Sequence, residues 1–491
     1  MVKPDGRLTI DLDPSDHPPR DACGVFGAWC PGEDVGKLAY YGLYALQHRG
    51  QESAGIAVSD GDRIVVYKDM GLVAQVFNEG VLGTLSGHIA VGHCRYSTTG
   101  ASVWRNAQPT FRATGAAGIA LAHNGNLINT LELAALLKQR APGTVQLSGL
   151  ESTSDTDVLT ALFACPVGEG GSHNLAAAAA AALPLVRGAY SLVFMDGKTL
   201  YAARDPQGFR PLVLGQLGDG WVVASETAAL DIVGATFVRE VEPGELISIG
   251  EHGVTSHRFA PAVPRGCLFE YVYLARPDTT IAGRGVQATR VEVGRRLAAE
   301  YPAEADLVIP VPESGTPAAI GYAQASGIPY AQGLVKNSYV GRTFIQPSQI
   351  IRERGIKLKL NPLRDVIAGQ RVVVVDDSIV RGSTQRAIVA MLREVGAAQV
   401  HVRISSPPVA WPCFYGIDFA TREELIAGRE SVAEITASIG ADSLGYISLD
   451  GLIAATTLPR ERLCHACFDG DYPIPVAVAD RGKHVLEGVR T

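Results

Sequence analysis

Val372-Val373-Val374-Val375-Asp376-Asp377-Ser378-Ile379-Val380-Arg381-Gly382-Ser383-Thr384 is the stretch that decides the fold. Four consecutive valines make a short, uniformly apolar run, which suits a parallel strand buried on both faces. Asp376 and Asp377 fall where that strand would leave its sheet, and open parallel sheets bind ligands just outside the carboxyl ends of their strands. Two adjacent carboxylates can accept hydrogen bonds from vicinal hydroxyls or attract a hard cation such as magnesium. Ser378, Arg381, Gly382, Ser383 and Thr384 then precede a helical pattern of Ile388, Val389, Met391, Leu392 and Val395. A helix N-terminus with free amides is an anion site, so carboxylates beside a phosphate cradle predict a sugar-phosphate pocket. A plainer reading has Asp377 or Ser378 merely capping the helix.

The chain has 491 residues, which predicts two or three domains at roughly 150 residues each. A formal charge of −7 argues against a nucleic-acid partner, which calls for a basic face. No apolar run approaches the ~20 residues of a membrane span. The first 22 residues hold five aspartates and four prolines without an apolar core, so they do not read as a secretory signal. The cytoplasm is the expected compartment, and there the eight cysteines are expected to be catalytic, metal-binding or buried instead of disulfide-bonded.

The Val372–Thr384 string resembles the phosphoribosyl pyrophosphate (PRPP) motif of type I phosphoribosyltransferases. Upstream, Asp306-Leu-Val-Ile-Pro-Val311 reads as another strand, and Glu313-Ser314-Gly315-Thr316 then stands where that family places its pyrophosphate loop. The resemblance implies that Asp376, Asp377, Ser378, Arg381, Gly382, Ser383 and Thr384 bind PRPP together with this loop, with magnesium at Ser314, Asp376 and Asp377. Between the two segments, residues 336–361 carry six cations and one acid. A solvated face is the ordinary explanation of such a run. The resemblance implies a mobile loop closing over PRPP, with Lys336, Tyr339 and Arg342 as contacts.

In the amino-terminal half, Cys23-Gly-Val-Phe-Gly-Ala-Trp29 reads as a strand. It is followed by Tyr40 to Ala57 around Arg49-Gly50-Gln51, by Gly92-His-Cys-Arg95-Tyr-Ser-Thr98, by His123-Asn124-Gly125-Asn126 and by Ser154-Asp155-Thr156-Asp157. Taken alone, Asn124-Gly125 is the commonest two-residue hairpin turn. In this order the pieces resemble the class II glutamine amidotransferase domain, an N-terminal-nucleophile hydrolase. The resemblance implies Cys23 as nucleophile, Asn124 and Gly125 as the oxyanion hole, and Arg49, Arg95 and Asp155 as glutamine-binding residues. Amide hydrolysis needs a thiolate and a nearby base, and an α-amine of pKa about 7.7–8.0 serves. Internal Cys23 lacks one, so removal of residues 1–22 as a propeptide is expected.

Cys464-His-Ala-Cys467 is a CxxC pair; Cys267 and Cys413 stand far away in sequence. Their surroundings resemble the iron–sulfur branch of amidophosphoribosyltransferases, which implies a structural 4Fe–4S cluster on Cys267, Cys413, Cys464 and Cys467. Zinc with four thiolates is the rival.

The expected fold is therefore an α+β N-terminal-nucleophile (Ntn) hydrolase sandwich over 23–255 followed by an α/β type I phosphoribosyltransferase domain over 256–491. The whole chain resembles the glutamine PRPP amidotransferase family. That implies transfer of glutamine-derived ammonia to PRPP, giving 5-phosphoribosylamine in purine synthesis, with purine nucleotides as inhibitors and a homotetramer as the assembly. Alternatives are a glutamine amidotransferase with another sugar-phosphate acceptor and a non-catalytic PRPP or nucleotide sensor.

Overall fold

Strand β1, Gly24–Trp29, is buried from end to end, and its alternating side chains serve two cores. Phe26 and Ala28 pack with Val35, Ala39 and Leu43 of helix α1, Val35–Ala45. Val25 and Trp29 instead meet Val193, Leu200 and Ala202 of a second sheet. With both faces covered, the strand shows no polar alternation. In this computed structural model residues 23–96, 101–114, 117–140, 152–165, 174–337, 359–417 and 422–476 are described. The expected propeptide 1–22, Ser97, Thr98, Tyr339, Arg342 and most of the basic run lie outside them.

The first sheet is antiparallel, with β1 between Gly220–Ala224 and β2, Ile89–Arg95. The second sheet has six antiparallel strands, with β3, Ile119–Leu127, beside β4, Gly188–Met195. Helices Thr130–Arg140, α2 (Asp155–Phe163) and Leu175–Ala182 pack on the outer face of this second sheet. The layers run helix, sheet, sheet, helix, which is the expected sandwich. Its last strand, Gly253–Arg258, pairs in full register with Glu245–Gly250, so the sandwich ends past Arg258 and not at residue 255.

The carboxy-terminal half holds four parallel strands in the order β5 (Leu307–Pro310), β6 (Arg371–Asp376), β7 (Gln399–Ile404) and β8 (Ser443–Tyr446). A parallel bridge from Val308 to Tyr330 adds an edge on the far side of β5. The winding direction therefore reverses between β5 and β6. That reversal opens the crevice in which doubly wound sheets take ligands. Helices α3, Val286–Glu300, and α4, Thr316–Ser326, flank β5 in close contact. A side-chain carbon at Gly321 would lie 1.9 Å from the Val291 carbonyl oxygen, and one at Gly294 would lie 1.9 Å from that of Ala318. Among the described residues no helix is long and apolar enough to cross a membrane.

The Gly321→Ala variant is expected to force α3 and α4 apart and to lose roughly 1–3 kcal/mol of stability, the usual cost of overpacking. Urea unfolding checks this; an unchanged midpoint would mean that the helices are free to separate.

Candidate active site

Cys23 immediately precedes β1, and the register that pairs Gly24 with Cys94 brings it to the end of β2 where Arg95 lies. Its Sγ donates to the Tyr96 carbonyl at 3.1 Å and accepts from the Tyr96 amide at 3.3 Å. Burial pushes the thiol up to about 12, against the opposing pull of the Arg95 charge. Arg95 is itself buried, with Nη1 3.3 Å from the Ala101 carbonyl and 3.9 Å from the Glu52 carboxylate.

Asn124 and Gly125 sit in the middle of β3, opposite Ser191 and Tyr190 of β4. They do not form the hairpin turn that the dipeptide suggests in isolation, because sheet pairing overrides the local preference. The Asn124 Nδ2 reaches Ser225 Oγ at 3.5 Å, and its buried Oδ1 has no hydrogen-bond partner. Gly125 takes φ +149, and a side-chain carbon there would lie 2.0 Å from the Ala189 carbonyl oxygen. Asp155 opens α2, whose cap is Ser154. Its carboxylate accepts from the amides of Leu127 at 3.1 Å and Thr156 at 2.9 Å. Burial works against its ionisation, yet His123 and these hydrogen bonds hold the carboxyl below its ordinary value.

Arg49 lies beside Cys23 with Nε donating to the Cys23 carbonyl at 3.2 Å. Its remaining hydrogen bonds go to Glu226 at 2.5 Å and to both oxygens of Glu270 at 3.0 and 2.7 Å. Expected among the glutamine contacts, this guanidinium places these hydrogen bonds on two buried carboxylates and on the Cys23 backbone. Burial alone would lower its pKa, but Glu270 and Glu226 drive it upward.

In the other half, Asp376 is the last residue of β6, and the following helix α5, Ser383–Glu394, starts only after Gly382 at φ +82. Neither Asp377 nor Ser378 is its cap, so the capping alternative fails. Asp376 accepts from Gln385 Nε2 and from the Asp377 amide at 2.9 Å. Burial, then the charge of Asp377, raises its carboxyl well above the usual range. The Ser378 hydroxyl donates to Asp377 at 2.5 Å. Gly315 packs against this strand end, where a side-chain carbon would meet the Val375 carbonyl oxygen at 2.3 Å and Asp376 Cα at 3.1 Å. The loop Glu313–Thr316 and the twin acids thus close one crevice at the reversal point. At its rim, Lys336 pairs with Glu313 at 3.5 Å, both side chains being exposed. Arg381 Nη2 donates to Glu424 at 2.6 Å.

Cys267, Cys413, Cys464 and Cys467 line one pocket with Phe209, Arg210 and Tyr415. Cys267 and Cys464 are register partners in a short parallel pair. Burial pushes the Cys267 thiol up to about 11, with Arg210 the chief opposing charge.

Two family models match the chain, a glutamine amidotransferase domain over residues 93–231 and a phosphoribosyl transferase domain over residues 289–405. An amidophosphoribosyltransferase of Mycobacterium tuberculosis is 62% identical over 482 residues, covering 96% of this chain and 90% of that protein. The chain belongs to the amidophosphoribosyltransferase family. The family's Bacillus subtilis member is 47% identical over 477 residues, covering 96% of this chain and 98% of its own. The solved B. subtilis glutamine PRPP amidotransferase, complexed with ADP and GMP, superposes with a TM-score of 0.86 at 47% identity, covering 94% of this chain and all of that one.

The side chains that sequence reasoning missed are those that hold the two family domains in place. Glu226 and Glu270 lie 177 and 221 residues from Arg49, and no local charge pattern announces them. Ser225, His123, Gln385 and Arg210 are equally silent. The one available hint was Glu270 in an otherwise apolar run, Leu268-Phe-Glu-Tyr-Val-Tyr-Leu274.

The Glu226 carboxyl is buried, which would raise its pKa, but His48 and Arg49 hold it below the ordinary range. A carboxyl depressed in the fold contributes stability above its unfolded pKa of about 4.3 and loses it as the pH falls. Native protein should therefore lose urea resistance on acidification from about pH 5 toward pH 3. Glu226→Gln should be less stable at pH 7 and show a flatter profile; parallel profiles would dissociate Glu226 from the effect.

Proposed function

We propose that this chain hydrolyses glutamine at Cys23 and adds the released ammonia to PRPP, forming 5-phosphoribosylamine, pyrophosphate and glutamate. One observation carries the reading: Cys23, Asn124, Gly125 and Asp155 converge on the sandwich strands, while a twin-acid crevice opens at the reversal point of a parallel sheet in the same chain. In this mechanism the Cys23 thiolate attacks the side-chain amide, and the oxyanion is received by the Asn124 side chain and the Gly125 amide. Ammonia leaves, and water cleaves the thioester to glutamate. Asp155 takes the substrate's α-ammonium and Arg95 its carboxylate. Ammonia attacks C1 of PRPP with inversion and displaces pyrophosphate; it must travel unprotonated, away from bulk water.

Burial raises the Cys23 thiol, so forming its thiolate calls for a nearby base, in keeping with the propeptide expectation. Cleavage before Cys23 supplies an α-amine, the base the thiol lacks. At the other centre, two adjacent buried carboxylates suit a hard dication that relieves their repulsion. Asp376 and Asp377 would hold magnesium with Ser314, and the chemistry it would supply there is neutralisation of charge on the departing pyrophosphate. Glu313, Gly315, Thr316, Ser378 and Gly382–Thr384 surround the phosphates in this reading. Lys336, with Tyr339 and Arg342 from the basic loop, covers them.

For the cysteine tetrad, a single tetrahedral zinc requires sulfurs about 3.8 Å apart, given bonds of ~2.3 Å. The four thiols border one cavity, and the family resemblance favours a 4Fe–4S cluster there, which would fasten the linker at residues 261–266, the Cys413 loop and the carboxy-terminal segment. Inhibition by purine nucleotides is part of this reading, supported by the likeness to the B. subtilis enzyme, which was solved complexed with ADP and GMP. A homotetramer in the cytoplasm follows from the family resemblance.

Magnesium-dependent pyrophosphate release from PRPP tests the function. Cys23→Ala should abolish glutamine use yet still accept free ammonia, whereas Asp376→Ala should impair both by about 100-fold or more. Glutamine use by Cys23→Ala would remove the nucleophile assignment, and amination of another sugar phosphate without PRPP would favour the other acceptor class. Intact mass should show active protein beginning at Cys23. Anaerobically prepared protein should carry iron and a visible chromophore that Cys467→Ser lacks; a colourless, zinc-loaded preparation would select zinc.

A further inference from the structure

Glu270 follows the linker at the head of a π-helical turn, Glu270–Leu274, and is buried. It belongs to the phosphoribosyltransferase half, yet its carboxylate reaches two arginines of the sandwich. Arg49 donates to both of its oxygens, at 3.0 and 2.7 Å. Arg210, fully buried, donates to Oε1 at 3.1 Å. Each arginine holds a piece of the amide-hydrolysing centre. The Nε of Arg49 carries the carbonyl of Cys23 at 3.2 Å. Arg210 donates twice to the Tyr415 carbonyl, at 3.1 and 2.7 Å. The next residue, Gly416 at φ +100, lies against Gly125 so closely that a side-chain carbon would be 3.1 Å from Gly125 Cα. Asn126 Nδ2 donates to the Phe414 carbonyl at 3.0 Å and ties the same loop to β3.

The other end of the turn faces the PRPP side. Arg290 of α3 donates to the carbonyls of Glu270, Tyr271 and Ala275 at 3.4, 2.7 and 2.8 Å. Burial lowers Arg290 to about 10, and the foremost charge opposing that shift is Asp377. Buried polar contacts therefore run from Arg290 of α3, through the backbone and carboxylate of Glu270, to the backbone of Cys23.

We propose that Glu270 is a positioning residue of the glutamine site: by fixing Arg49 and Arg210 together, it sets the Cys23 carbonyl and the loop behind Gly125 at the spacing that amide hydrolysis requires. It touches no substrate. The proposal rests on the assignment of Cys23 as nucleophile, and the two fail differently. If native protein uses no glutamine, that assignment falls before Glu270 is tested.

The test uses processed, full-length protein carrying its metal. Glu270→Gln keeps the size of the side chain and removes the charge that holds two guanidinium groups. Glutamine-dependent kcat should fall by about 100-fold while ammonia-dependent turnover stays within about threefold, since displacement of a reacting group by about 1 Å costs that much. Alkylation of Cys23 by a diazoketone analogue of glutamine should slow in step, and Glu270→Asp should recover part of the rate. Should Glu270→Gln fail to fold, Arg49→Lys makes the same test, because an ammonium cannot hold Glu226, both Glu270 oxygens and the Cys23 carbonyl at once; the same selective loss is expected. Unchanged glutamine turnover would overturn the proposal. So would a parallel loss of glutamine- and ammonia-dependent activity, which marks a merely structural role.

Discussion

A carboxylate caught between two buried guanidinium groups is the constraint on which the relation of the two halves depends. Glu270, Glu226, Arg49 and Arg210 bring two charges of each sign into the interior. Each buried charge costs several kcal/mol of desolvation, and the attraction between them offsets that cost only when the geometry satisfies every donor. Such a network is a poor source of net stability and a strict judge of alignment. A shifted linker would leave one member unpaired, at a penalty of about 3–5 kcal/mol. The linker is held accordingly: the Cys267 amide donates to the Phe209 carbonyl at 3.1 Å and the Leu268 amide to the Cys464 carbonyl at 3.0 Å. Three separated stretches of chain therefore meet in one register.

That alignment explains why the cysteine pocket lies where it does. Its walls include Phe209 and Arg210 from the sandwich as well as residues from both ends of the second half. Phe209 stacks on Tyr415 at 4.3 Å between ring centroids, and the Tyr415 hydroxyl donates to the Ile474 carbonyl at 2.6 Å. The Cys413 loop is thereby packed on one side against the carboxy-terminal segment and on the other against β3. The loop that carries Cys413 is also the backing of Gly125, so the cysteine pocket and the Gly125 strand share a wall.

The legibility of these features in the sequence follows from their physics. The valine run at 372–375 was readable because a strand covered on both faces leaves a compositional trace, and the carboxylates after it mark the end of the sheet. The family likeness singled out Cys23, Arg95, Asn124, Gly125 and Asp155 because each lies in its own short string. Two local signals misled in isolation. Asn124-Gly125 carries turn chemistry but is clamped by β4, and Asp377-Ser378 looks like a cap although α5 begins only at Ser383. The sandwich boundary at 255 fell short because the final strand has exposed, polar residues through Arg258 and so lacks an apolar pattern. The Glu270 network left no trace beyond one acid in an apolar run. Its members are individually ordinary and become a unit only when the fold brings together positions 177 and 221 residues apart.

Electrostatics at Cys23 and at Asp376 have the same sense. Burial disfavours the anion at Cys23, whose thiol rises to about 12, and at Asp376, whose carboxyl rises well above its usual range. Asp155 shows the contrasting arrangement, its negative charge being supported in advance by His123 and two backbone amides. Charge on groups of the first kind is disfavoured by burial and would be favoured by a nearby cation or base; charge on a group of the second kind is already supported by its neighbours. The distribution is thus orderly. On the proposed reading, a carboxylate whose charge is supported stands where the substrate's ammonium would be held, and disfavoured charge stands where the chemistry would begin.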